Sequence, residues 1–587
     1  MVKRIMIVKK EKCNPEGCGD YLCIRVSPSN RAGKEAIFKS ADGKVAVNEE
    51  VITDGDRIAA NKCPFEALEM IRLPEELNKD PIHRYGKNGF ALYNLPTPVF
   101  GKVVGIIGRN GIGKSTAIKI LADVLKPNLG RIEEKNYEAS HEELIAYFKG
   151  TEAQAFFEKR KKGGVKIAYK PQQVDLIPKQ FSGTVKELLE KTNETGRLNE
   201  IVEKLDLTKL LNHKINEVSG GELQRVAIAA TVLKKANVYF FDEPASYLDI
   251  KQRLKVSKFI RELATPDTAV MVIEHDLIIL DYMTDFVHLM YGKEGGFGVV
   301  SMTKTTKAGI NVYLSGYLKE ENVRFRSNHI KFLKKPPVKQ RPEFEMVEWN
   351  KLSHKQGSFD LKINQGVIYK GEIVGILGEN GIGKTTFVKI LAGEIKSKDE
   401  IKELKVAYKP QYLEVSDELV STTLRRAIGK YGAMILEPLN LKSFMNRKLS
   451  ELSGGELQRV MIAKCLSEDS DLILMDEPSA YLDVEQRLEV SKVIKDIMEQ
   501  SGKSALIVDH DLLFVDYLSD QLIIFDGEPA VSGLVNGPFN MEQGMNRFLR
   551  DVELSFRRDE ENNRPRANKV DSQLDREQKS KGKLYYV

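Results

Sequence analysis

The sequence lacks the long apolar segments and the cysteine content that mark membrane and secreted proteins. No apolar run approaches the ~18 residues that a membrane-spanning helix needs. The first residues, MVKRIMIVKKEK, contain no apolar core or cleavage site of a signal peptide. Only five cysteines occur in 587 residues, and four of them lie within the first 63. These absences argue against a disulfide-stabilised secreted protein and predict a cytoplasmic one that can bind metal.

Strong net charge is also absent. The formal charge is +6, with 42% hydrophobic and 30% charged residues, which is an ordinary globular composition. So mild a charge permits contact with nucleic acid but does not demonstrate it. Basic stretches occur at 159–162 (KRKK) and in FRRDEENNRPRANK near the C-terminus. A solvated surface is the simplest interpretation of either stretch alone.

The chain is too long for one hydrophobic core, and it repeats itself. Segment 103–122, VVGIIGRNGIGKSTAIKILA, matches 373–392, IVGILGENGIGKTTFVKILA. Four further pairs follow in the same order, including EVSGGELQRVAIA with ELSGGELQRVMIA and FFDEPASYLD with LMDEPSAYLD. Short apolar runs rich in Val, Ile and Phe, separated by helical patterns, predict buried parallel strands. The fold class is therefore α/β, with two tandem P-loop domains.

The two copies differ by one insertion. Lys114 lies 58 positions before Gln172, whereas Lys384 lies 27 positions before Gln411. The additional 31 residues contain two amphipathic helical patterns around Gly150 and end in the basic run. Because only one copy has this insertion, the shared chemistry does not require it, and we interpret it as a partner-contact element.

Both copies contain the P-loop pattern G-x-x-x-x-G-K-[ST] after a strand and before a helix. Glycines let backbone N–H groups surround phosphates, and the lysine reaches the β- and γ-phosphates. The expected nucleotide contacts of the first copy are Gly108, Asn110, Gly111, Gly113, Lys114, Ser115 and Thr116. Those of the second copy are Gly378, Asn380, Gly381, Gly383, Lys384, Thr385 and Thr386. Tyr85, Phe90 and Phe359 are candidates for adenine stacking, although an aromatic side chain there also fits a core position.

Acidic residues and a histidine follow the apolar strands in each copy. We expect Asp242 and Asp476 to hold Mg²⁺ together with the P-loop hydroxyls of Ser115 and Thr385. The next residues, Glu243 and Glu477, are placed to polarise the attacking water. His275 and His510 follow a further strand in both copies, which favours a role in sensing the γ-phosphate.

The repeated SGGELQR, at 219–225 and 453–459, resembles the signature of ATP-binding cassette (ABC) ATPases. The resemblance implies that the signature of each domain caps the nucleotide on the P-loop of the other. Lys114 would then pair with Ser453 and Gly455, and Lys384 with Ser219 and Gly221. Gln172 and Gln411 would be Q-loop residues that contact ATP and Mg²⁺. Asp249 and Asp483 would be D-loop acids that cross the interface.

Over essentially its whole length the chain resembles the ribosome-recycling ATPases of ABC subfamily E, the RNase L inhibitor family. HRYGKNGFALYNLPTP, GEPAVSGLV and SFRRDEENNRPRANKVDSQLDREQK carry this resemblance together with the cysteine-rich start. It implies a cytoplasmic monomer that pairs its two ATPase domains and splits ribosomes after termination or rescue, beside a release or rescue factor. It also implies rRNA and small-subunit contacts, including 159–162 and the arginines near 557–566. The alternative is an ABC ATPase that energises a transporter or a DNA-repair complex.

The family usually carries two ferredoxin-type motifs and two 4Fe–4S clusters, and this chain departs from that pattern. In two-cluster domains the fourth cysteine of each motif ligates the other cluster. By that rule Cys13, Cys18, Cys23 and Cys63 form one complete ligand set. The second set would need cysteines at Ser27, Thr53, Asp56 and Ala59, and all four are missing. We predict one 4Fe–4S cluster and no second one. The alternative is a zinc ion bound by the same four thiolates.

The predicted domain organisation follows from these patterns. It comprises a ferredoxin-like domain at 1–74, ABC domain 1 at 75–295 with a helix–loop–helix insert at about 136–163, hinge 1 at 296–345, ABC domain 2 at 346–527, and hinge 2 with the tail at 528–587. The two hinges resemble each other, which predicts equivalent elements that pack together at the domain junction.

Overall fold

The computed structural model describes residues 4–72, 80–134, 137–326, 329, 330, 332, 344–395, 405–413 and 415–585. Parts of the predicted domain boundary near 74, of hinge 1 and of the tail lie outside these residues. Among the helices of the described residues, none combines the length and the apolar character needed to cross a membrane.

The N-terminal region is a small unit of short elements around its own apolar core. In chain order these are β1 (Arg4–Val8), α1 (Leu22–Val26), α2 (Pro28–Arg31), β2 (Ile37–Lys39), β3 (Val45–Val47), α3 (Arg57–Lys62) and β4 (Leu68–Arg72). Antiparallel pairs join β1 to β4 and β2 to β3. The loops between these elements carry Cys13, Cys18 and Cys63, and α1 carries Cys23.

The first cassette is built on one large mixed sheet with the order β5-β6-β12-β11-β7-β10-β9-β8. Its strands are β5 (His83–Arg84), β6 (Ala91–Tyr93), β7 (Val103–Ile107), β8 (Ile167–Lys170), β9 (Val238–Asp242), β10 (Ala269–Ile273), β11 (Phe286–Lys293) and β12 (Phe297–Val300). Its helices are α4 (Lys114–Leu121), α5 (His141–Tyr147), α6 (Glu152–Lys161), α7 (Ile177–Gln180), α8 (Val185–Thr192), α9 (Leu198–Lys204), α10 (Gly220–Val232), α11 (Ile250–Glu262) and α12 (Leu277–Met283).

A connecting segment follows the first cassette. It contains β13 (Lys304–Thr305), α13 (Thr306–Ser315), β14 (Tyr317–Leu318) and β15 (Val323–Arg324). Strand β13 pairs with β11, so the first sheet extends past the boundary predicted at residue 295. The segment KEGGFG, which spans the boundary predicted at 295, forms the turn of the antiparallel β11–β12 hairpin.

The second cassette repeats this sheet as β17-β18-β25-β24-β20-β23-β22-β21. Its strands are β16 (Glu345–Trp349), β17 (Leu352–Gln356), β18 (Phe359–Ile363), β19 (Gly366–Tyr369), β20 (Ile373–Leu377), β21 (Val406–Lys409), β22 (Leu472–Asp476), β23 (Ser504–Val508), β24 (Gln521–Glu528) and β25 (Ser532–Asn540). Its helices are α14 (Lys384–Leu391), α15 (Val420–Thr423), α16 (Arg425–Ile435), α17 (Gly454–Ser467), α18 (Val484–Ser501) and α19 (Leu512–Leu518). Since β25 belongs to this sheet, the second cassette also extends beyond its predicted end at 527.

The C-terminal segment contains α20 (Met541–Asp551), β26 (Phe556–Arg558), β27 (Pro565–Ala567) and α21 (Gln573–Lys581). It contacts the connecting segment, because Asn311 Nδ2 donates to Asp559 Oδ1 at 3.3 Å and Asn562 Nδ2 donates to Asn311 Oδ1 at 2.9 Å. Helices α13 and α20 each pack closely, through a glycine, against a strand of the neighbouring cassette sheet, β11 for α13 and β24 for α20. A Cβ at Gly309 would lie 2.1 Å from Val287, and one at Gly544 would lie 2.8 Å from Leu522.

Three of the four arginines at 557–566 are held within the chain and are not the free rRNA contacts that the family resemblance implied, whereas Arg557 is half-buried and stays a prediction. Arg564 is fully buried and pairs with Asp281 at 3.2 Å, and Arg566 pairs with the same carboxylate at 2.7 Å. On the neighbouring strand Arg558 pairs with Asp516 at 3.1 Å. Asp281 and Asp516 occupy equivalent places in α12 and α19. The tail hairpin therefore contacts both cassettes and holds them together. Because these arginines are neutralised by Asp281 and Asp516, their charges are not available to RNA.

The helical insertion packs through aromatic side chains. Phe148 and Phe157 stack with ring centroids 5.4 Å apart, inside the core cluster of the first cassette. Part of the basic run at its end is engaged by the protein itself. Arg160 pairs with Asp123 at 2.7 Å, and the Lys159 ammonium lies 3.5 Å from the centroid of the Phe100 ring. Lys161 pairs with Glu142 at 2.5 Å on the surface. Lys162 is exposed and has no ion pair or ring contact within the described part of the chain, so it can face an external partner.

Candidate ATP sites and cysteine cavity

Both P-loops lie between the central strand of a sheet and the helix that follows it. Gly113 and Gly383 have φ values of +90° and +96° at the starts of α4 and α14, a conformation that favours glycine. The lysine side chains are buried and donate to carbonyls of their own loops. Lys114 Nζ lies 2.9 Å from Gly108 O, and Lys384 Nζ lies 2.8 Å from Gly378 O. These ammonium groups are thus held at the concave face that backbone N–H groups line.

The aspartates at the ends of β9 and β22 lie beside the P-loop hydroxyls. Thr385 Oγ1 donates to Asp476 Oδ2 at 2.8 Å. In the first site neither carboxylate oxygen of Asp242, which is 1% exposed, makes a hydrogen bond of normal geometry among the described residues. Burial and the charge of Glu243 raise the pKa of Asp242 to about 6, with Ser115 opposing them. A buried carboxylate in need of a partner beside a hydroxyl fits a divalent cation.

The backbone of the candidate catalytic glutamates is strained and held in place. Glu243 and Glu477 have φ values of +48° and +47°, which is unusual for residues with a side chain. Two buried lysines bind the carbonyls at this bend: Lys170 Nζ donates to Asp242 O at 2.9 Å, and Lys409 Nζ donates to Asp476 O at 2.7 Å. Burial lowers the pKa of both lysines to about 8.

Each signature helix supports the same bend through a glutamine of SGGELQR. Gln224 Nε2 donates to Glu243 O at 2.6 Å, and Gln458 Nε2 donates to Glu477 O at 2.7 Å. Sequence reasoning missed these lysines and glutamines. Their signal was present, because KPQ and LQR occur in both copies, but nothing local to either motif indicated a contact with the glutamate.

The predicted Q-loop and histidine residues converge on the glutamate side chains. Gln172 Nε2 and Gln411 Nε2 each donate to the glutamate of their own site at 2.7 Å. His275 Nε2 lies 3.3 Å from Glu243 Oε1, whereas His510 Nε2 lies 3.7 Å from Glu477 Oε1. Burial lowers the pKa of both histidines, and at His275 the hydrogen bond and the charge of Glu243 act in the opposite direction.

The two glutamates differ in their ionisation. Burial raises the pKa of Glu477 to about 7, and the charges of Asp509 and Asp476 act in the same direction. Burial also raises the pKa of Glu243, but the hydrogen bond and the charge of His275, together with the charge of Lys114, outweigh it and bring the pKa to about 2. The same residue type therefore has two different environments.

A transposed dipeptide accounts for part of this difference. The first copy has DEPAS and the second has DEPSA. Ser246 Oγ donates to Glu243 Oε2 at 3.1 Å, and the equivalent position of the second copy is Ala480. The serine of the second copy, Ser479, donates instead to Asp509 Oδ1 at 2.7 Å. In the first site the serine hydroxyl therefore holds the catalytic candidate Glu243. In the second site it holds Asp509, the residue before His510.

Contacts between the cassettes join each site to the opposite D-loop. Asp483 Oδ2 accepts a hydrogen bond from Asn110 N at 3.2 Å, and Asp249 Oδ2 accepts one from Asn380 N at 3.1 Å. Ser219 and Ser453 cap the N-termini of α10 and α17 by accepting from Glu222 N and Glu456 N. Both serines are exposed, as a ligand contact requires.

The candidate stacking aromatics lie beside the P-loops. A Cβ at Gly113 would lie 2.5 Å from Phe90, and one at Gly383 would lie 3.0 Å from Phe359, so these two rings occupy equivalent places. Tyr85 is half exposed, and its hydroxyl lies 3.3 Å from Thr116 Oγ1. It has the surface that a base could cover.

The four N-terminal cysteines line one cavity together with apolar residues of the small core. Burial raises the pKa of Cys23 to about 12, and the neighbouring thiols of Cys63, Cys18 and Cys13 contribute. Cys63 Sγ accepts a hydrogen bond from Ala67 N at 3.3 Å. The described residues contain no ready-made group of three metal ligands. The donor set nonetheless fits a cluster, because four thiols without disulfides face one apolar cavity.

Three of the four positions of the second ligand set, Ser27, Thr53 and Asp56, belong to a hydrogen-bond network centred on the buried Asp56 carboxylate. Ser27 Oγ donates to Asp56 Oδ1 at 2.5 Å, Thr53 N donates to Oδ2 at 2.8 Å, and Ser29 donates through its N–H and its hydroxyl. Ala59 is buried beside this network. Burial raises the pKa of Asp56, but the hydrogen bonds from Ser27, Ser29 and Thr53 outweigh it and lower the pKa to about 2. Asp56 is therefore a satisfied internal anion.

Two P-loop sheets that complete each other's sites define a twin-cassette ATPase. The ABC transporter family model matches residues 99–246 and 361–480. ABC transporter E family member 1 of Arabidopsis thaliana is 42% identical over 100% of this chain and 99% of its own. A solved model of ribosome-bound archaeal Pelota and ABCE1 superposes with a TM-score of 0.93 at 48% identity, covering 100% of both chains.

A second solved structure, the complex of archaeal ribosomal stalk protein aP1 with the archaeal ribosome recycling factor aABCE1, gives a TM-score of 0.83 at 49% identity. It covers 87% of this chain and 100% of that one. The chain belongs to the E family of ABC proteins, the RNase L inhibitor family. It is an ABC ATPase, and such enzymes act on ATP with Mg²⁺.

Proposed function

We propose that this chain uses ATP to split ribosomes into subunits after termination or rescue, in the cytoplasm and beside a release or rescue factor. One observation carries this proposal: the match to a ribosome-bound relative extends over the whole of both chains. The relative described as a ribosome recycling factor supports it as well.

Each ATP site would divide its work between the two cassettes. Lys114 and Lys384 bind the β- and γ-phosphates, and backbone N–H groups of both P-loops surround them. Ser115 and Asp242, or Thr385 and Asp476, hold Mg²⁺ together with Gln172 or Gln411.

The hydrolytic groups follow the same division. Glu243 and Glu477 orient and polarise the attacking water, and His275 and His510 donate to the γ-phosphate. The bend at each glutamate, fixed by a buried lysine, keeps its carboxylate aimed at the place where that water attacks.

Closure would bring Ser219 and Ser453 onto the nucleotide of the opposite P-loop. The existing contacts of Asp249 and Asp483 with Asn380 and Asn110 join the two sites, so that binding energy at either site moves both cassettes. This movement would displace the N-terminal domain against the small subunit.

Cys13, Cys18, Cys23 and Cys63 would hold one 4Fe–4S cluster, which when bound cross-links the loops of the small domain. Asp56 and its donors fill the place of a second ligand set. Iron and sulfide of about four each per chain after anaerobic purification, with the EPR signal of one reduced cluster, is the expected result. Stoichiometric zinc without iron would contradict it.

The test of the function is cosedimentation of the full chain with ribosomal subunits at low salt in a non-hydrolysable ATP analogue. We expect the chain in the small-subunit fractions and splitting of whole ribosomes with ATP. A matched variant, Lys114→Ala with Lys384→Ala, should remain in the light fractions. If the unchanged chain also stays there, or copurifies with membranes instead, the recycling function is wrong.

A further inference from the structure

Charged pairs flank both contacts between a P-loop and the opposite D-loop. Arg109 Nε lies 3.3 Å from Glu485 Oε2, and Lys251 Nζ lies 2.8 Å from Glu379 Oε1. Arg109 and Glu379 are equivalent P-loop residues, since each follows the first glycine in GRNG and GENG. Lys251 and Glu485 are likewise equivalent, since each lies two positions after the D-loop aspartate.

The two pairs have opposite polarity. In one contact the P-loop carries the positive charge and the D-loop helix the negative one, and in the other contact the charges are exchanged. Two copies of the first cassette would place Arg109 against Lys251 at both contacts. Two copies of the second would place Glu379 against Glu485. Every pairing of identical cassettes therefore faces like charges, and only the mixed pair is attractive at both contacts.

We propose that this reversed charge pair is a pairing code that directs ATP-driven closure to the two different cassettes of one chain and disfavours closure between identical cassettes of different chains. The proposal rests on the ATP-driven closure proposed above, but it is independent of the ribosome. Opposed like charges are a known means of rejecting a wrong partner.

The expected size of the effect follows from exposure. The side chains of Lys251 and Glu379 are 57% and 32% exposed, so solvent screens this pair. Glu485 is only 14% exposed and also lies 3.4 Å from Arg326 Nε. We therefore choose the Lys251–Glu379 pair for reversal, because it has no third partner of this kind among the described residues.

The experiment measures how fast a non-hydrolysable ATP analogue leaves the closed full-length chain. Lys251→Gln removes the pair and should speed release roughly two- to five-fold. Lys251→Glu opposes two carboxylates and should speed release further. The double variant Lys251→Glu with Glu379→Lys restores an attractive pair and should release the analogue as the unchanged chain does. These differences should shrink near 1 M salt, where the Debye length is about 3 Å.

The same variants test discrimination between chains. Lys251→Glu makes the pairing of two first cassettes attractive, because the new carboxylate faces Arg109 of the other copy. Sedimentation with the analogue at rising protein concentration should give more dimer for Lys251→Glu than for Lys251→Gln. Equal dimer fractions, or a double variant that releases the analogue as fast as Lys251→Glu, would overturn the proposal. Ribosome cosedimentation of the unchanged chain separately tests the recycling function.

Discussion

The chain has two ATP sites and, by family resemblance, two places for a cluster. Both ATP sites keep their functional residues, but only one of the two cluster places does. Both ATP sites retain their lysine, aspartate, glutamine, glutamate and histidine. Of the two cysteine sets, one is complete and the other is absent. The difference follows from how the copies depend on each other.

Each ATP site borrows a D-loop contact from the other cassette, through Asp249 to Asn380 and through Asp483 to Asn110. Loss of one cassette surface would therefore damage both sites. The cluster positions are separable at their side chains, because the hydroxyls of Ser27 and Ser29 and the N–H of Thr53 donate to Asp56 and not to a thiol. The backbone still joins the two sets, since Ser27 N donates to Cys23 O at 3.2 Å. A duplicated site can be lost where its neighbour does not need it.

The largest expected effect is that of Cys63→Ala. Removing one thiolate from the complete set should abolish iron binding. In a small metal-binding domain the free energy of metal binding contributes directly to folding, so the domain should lose on the order of 10 kcal/mol of folding free energy. Iron content and hydrogen exchange of residues 4–72 measure both consequences. The control is Cys465→Ala, which changes a cysteine of α17 that does not line the cavity and should leave iron unchanged. Retention of iron by Cys63→Ala would mean that this residue is not a ligand.

Local patterns explain what could be predicted from the sequence. The P-loops, the parallel strands β7, β9 and β10 and the two-cassette α/β fold are confirmed, because each depends on a glycine pattern or an apolar run of a few residues. The edges of the cassettes could not be predicted as well. Strands β12 and β25 join their sheets through hairpins whose glycines resemble those of a linker.

Long-range pairing explains the rest. Arg564 and Arg566 looked like RNA ligands because their partner Asp281 lies far earlier in the chain, on α12. Lys170 belongs to the repeated KPQ motif, but nothing near it in the sequence indicates its partner. The fold places its ammonium group against the carbonyl of Asp242. Sequence shows that a charge exists, but only the fold shows what neutralises it.

The second-largest effect is expected at the replaced set, from Asp56→Ala. It would leave the hydroxyls of Ser27 and Ser29 and the N–H of Thr53 buried without their shared acceptor. Each buried donor left without its acceptor costs about 1–3 kcal/mol. We expect faster hydrogen exchange of the amides of residues 4–72, because the free energy of unfolding of this domain falls. The iron content of the folded protein should be unchanged. Glu50→Gln, at an exposed carboxylate of the same domain, is the control. Equal stability of the two variants would contradict a structural role for Asp56.

A smaller effect is expected from Ser27→Cys, which restores the cysteine of the family pattern at one position. A thiol donates more weakly than a hydroxyl and is larger in a fully buried place, so about 1–2 kcal/mol of stability is lost. Iron content should not rise, because positions 53, 56 and 59 still lack thiols. An increase in iron per chain would show that the second set is dormant rather than replaced.

The smallest effect should distinguish the two ATP sites themselves. With Glu477→Gln silencing the second site, Ser246→Ala should lower kcat about three- to ten-fold and leave KM for ATP nearly unchanged, since the lost hydrogen bond orients Glu243 rather than the nucleotide. The matched control is Ser479→Ala with Glu243→Gln, which removes the transposed hydroxyl. That hydroxyl binds Asp509, so kcat there should change less than twofold. Equal losses at both sites would mean that the transposition does not set the difference between the glutamates, and a rise in KM alone would place Ser246 in nucleotide binding.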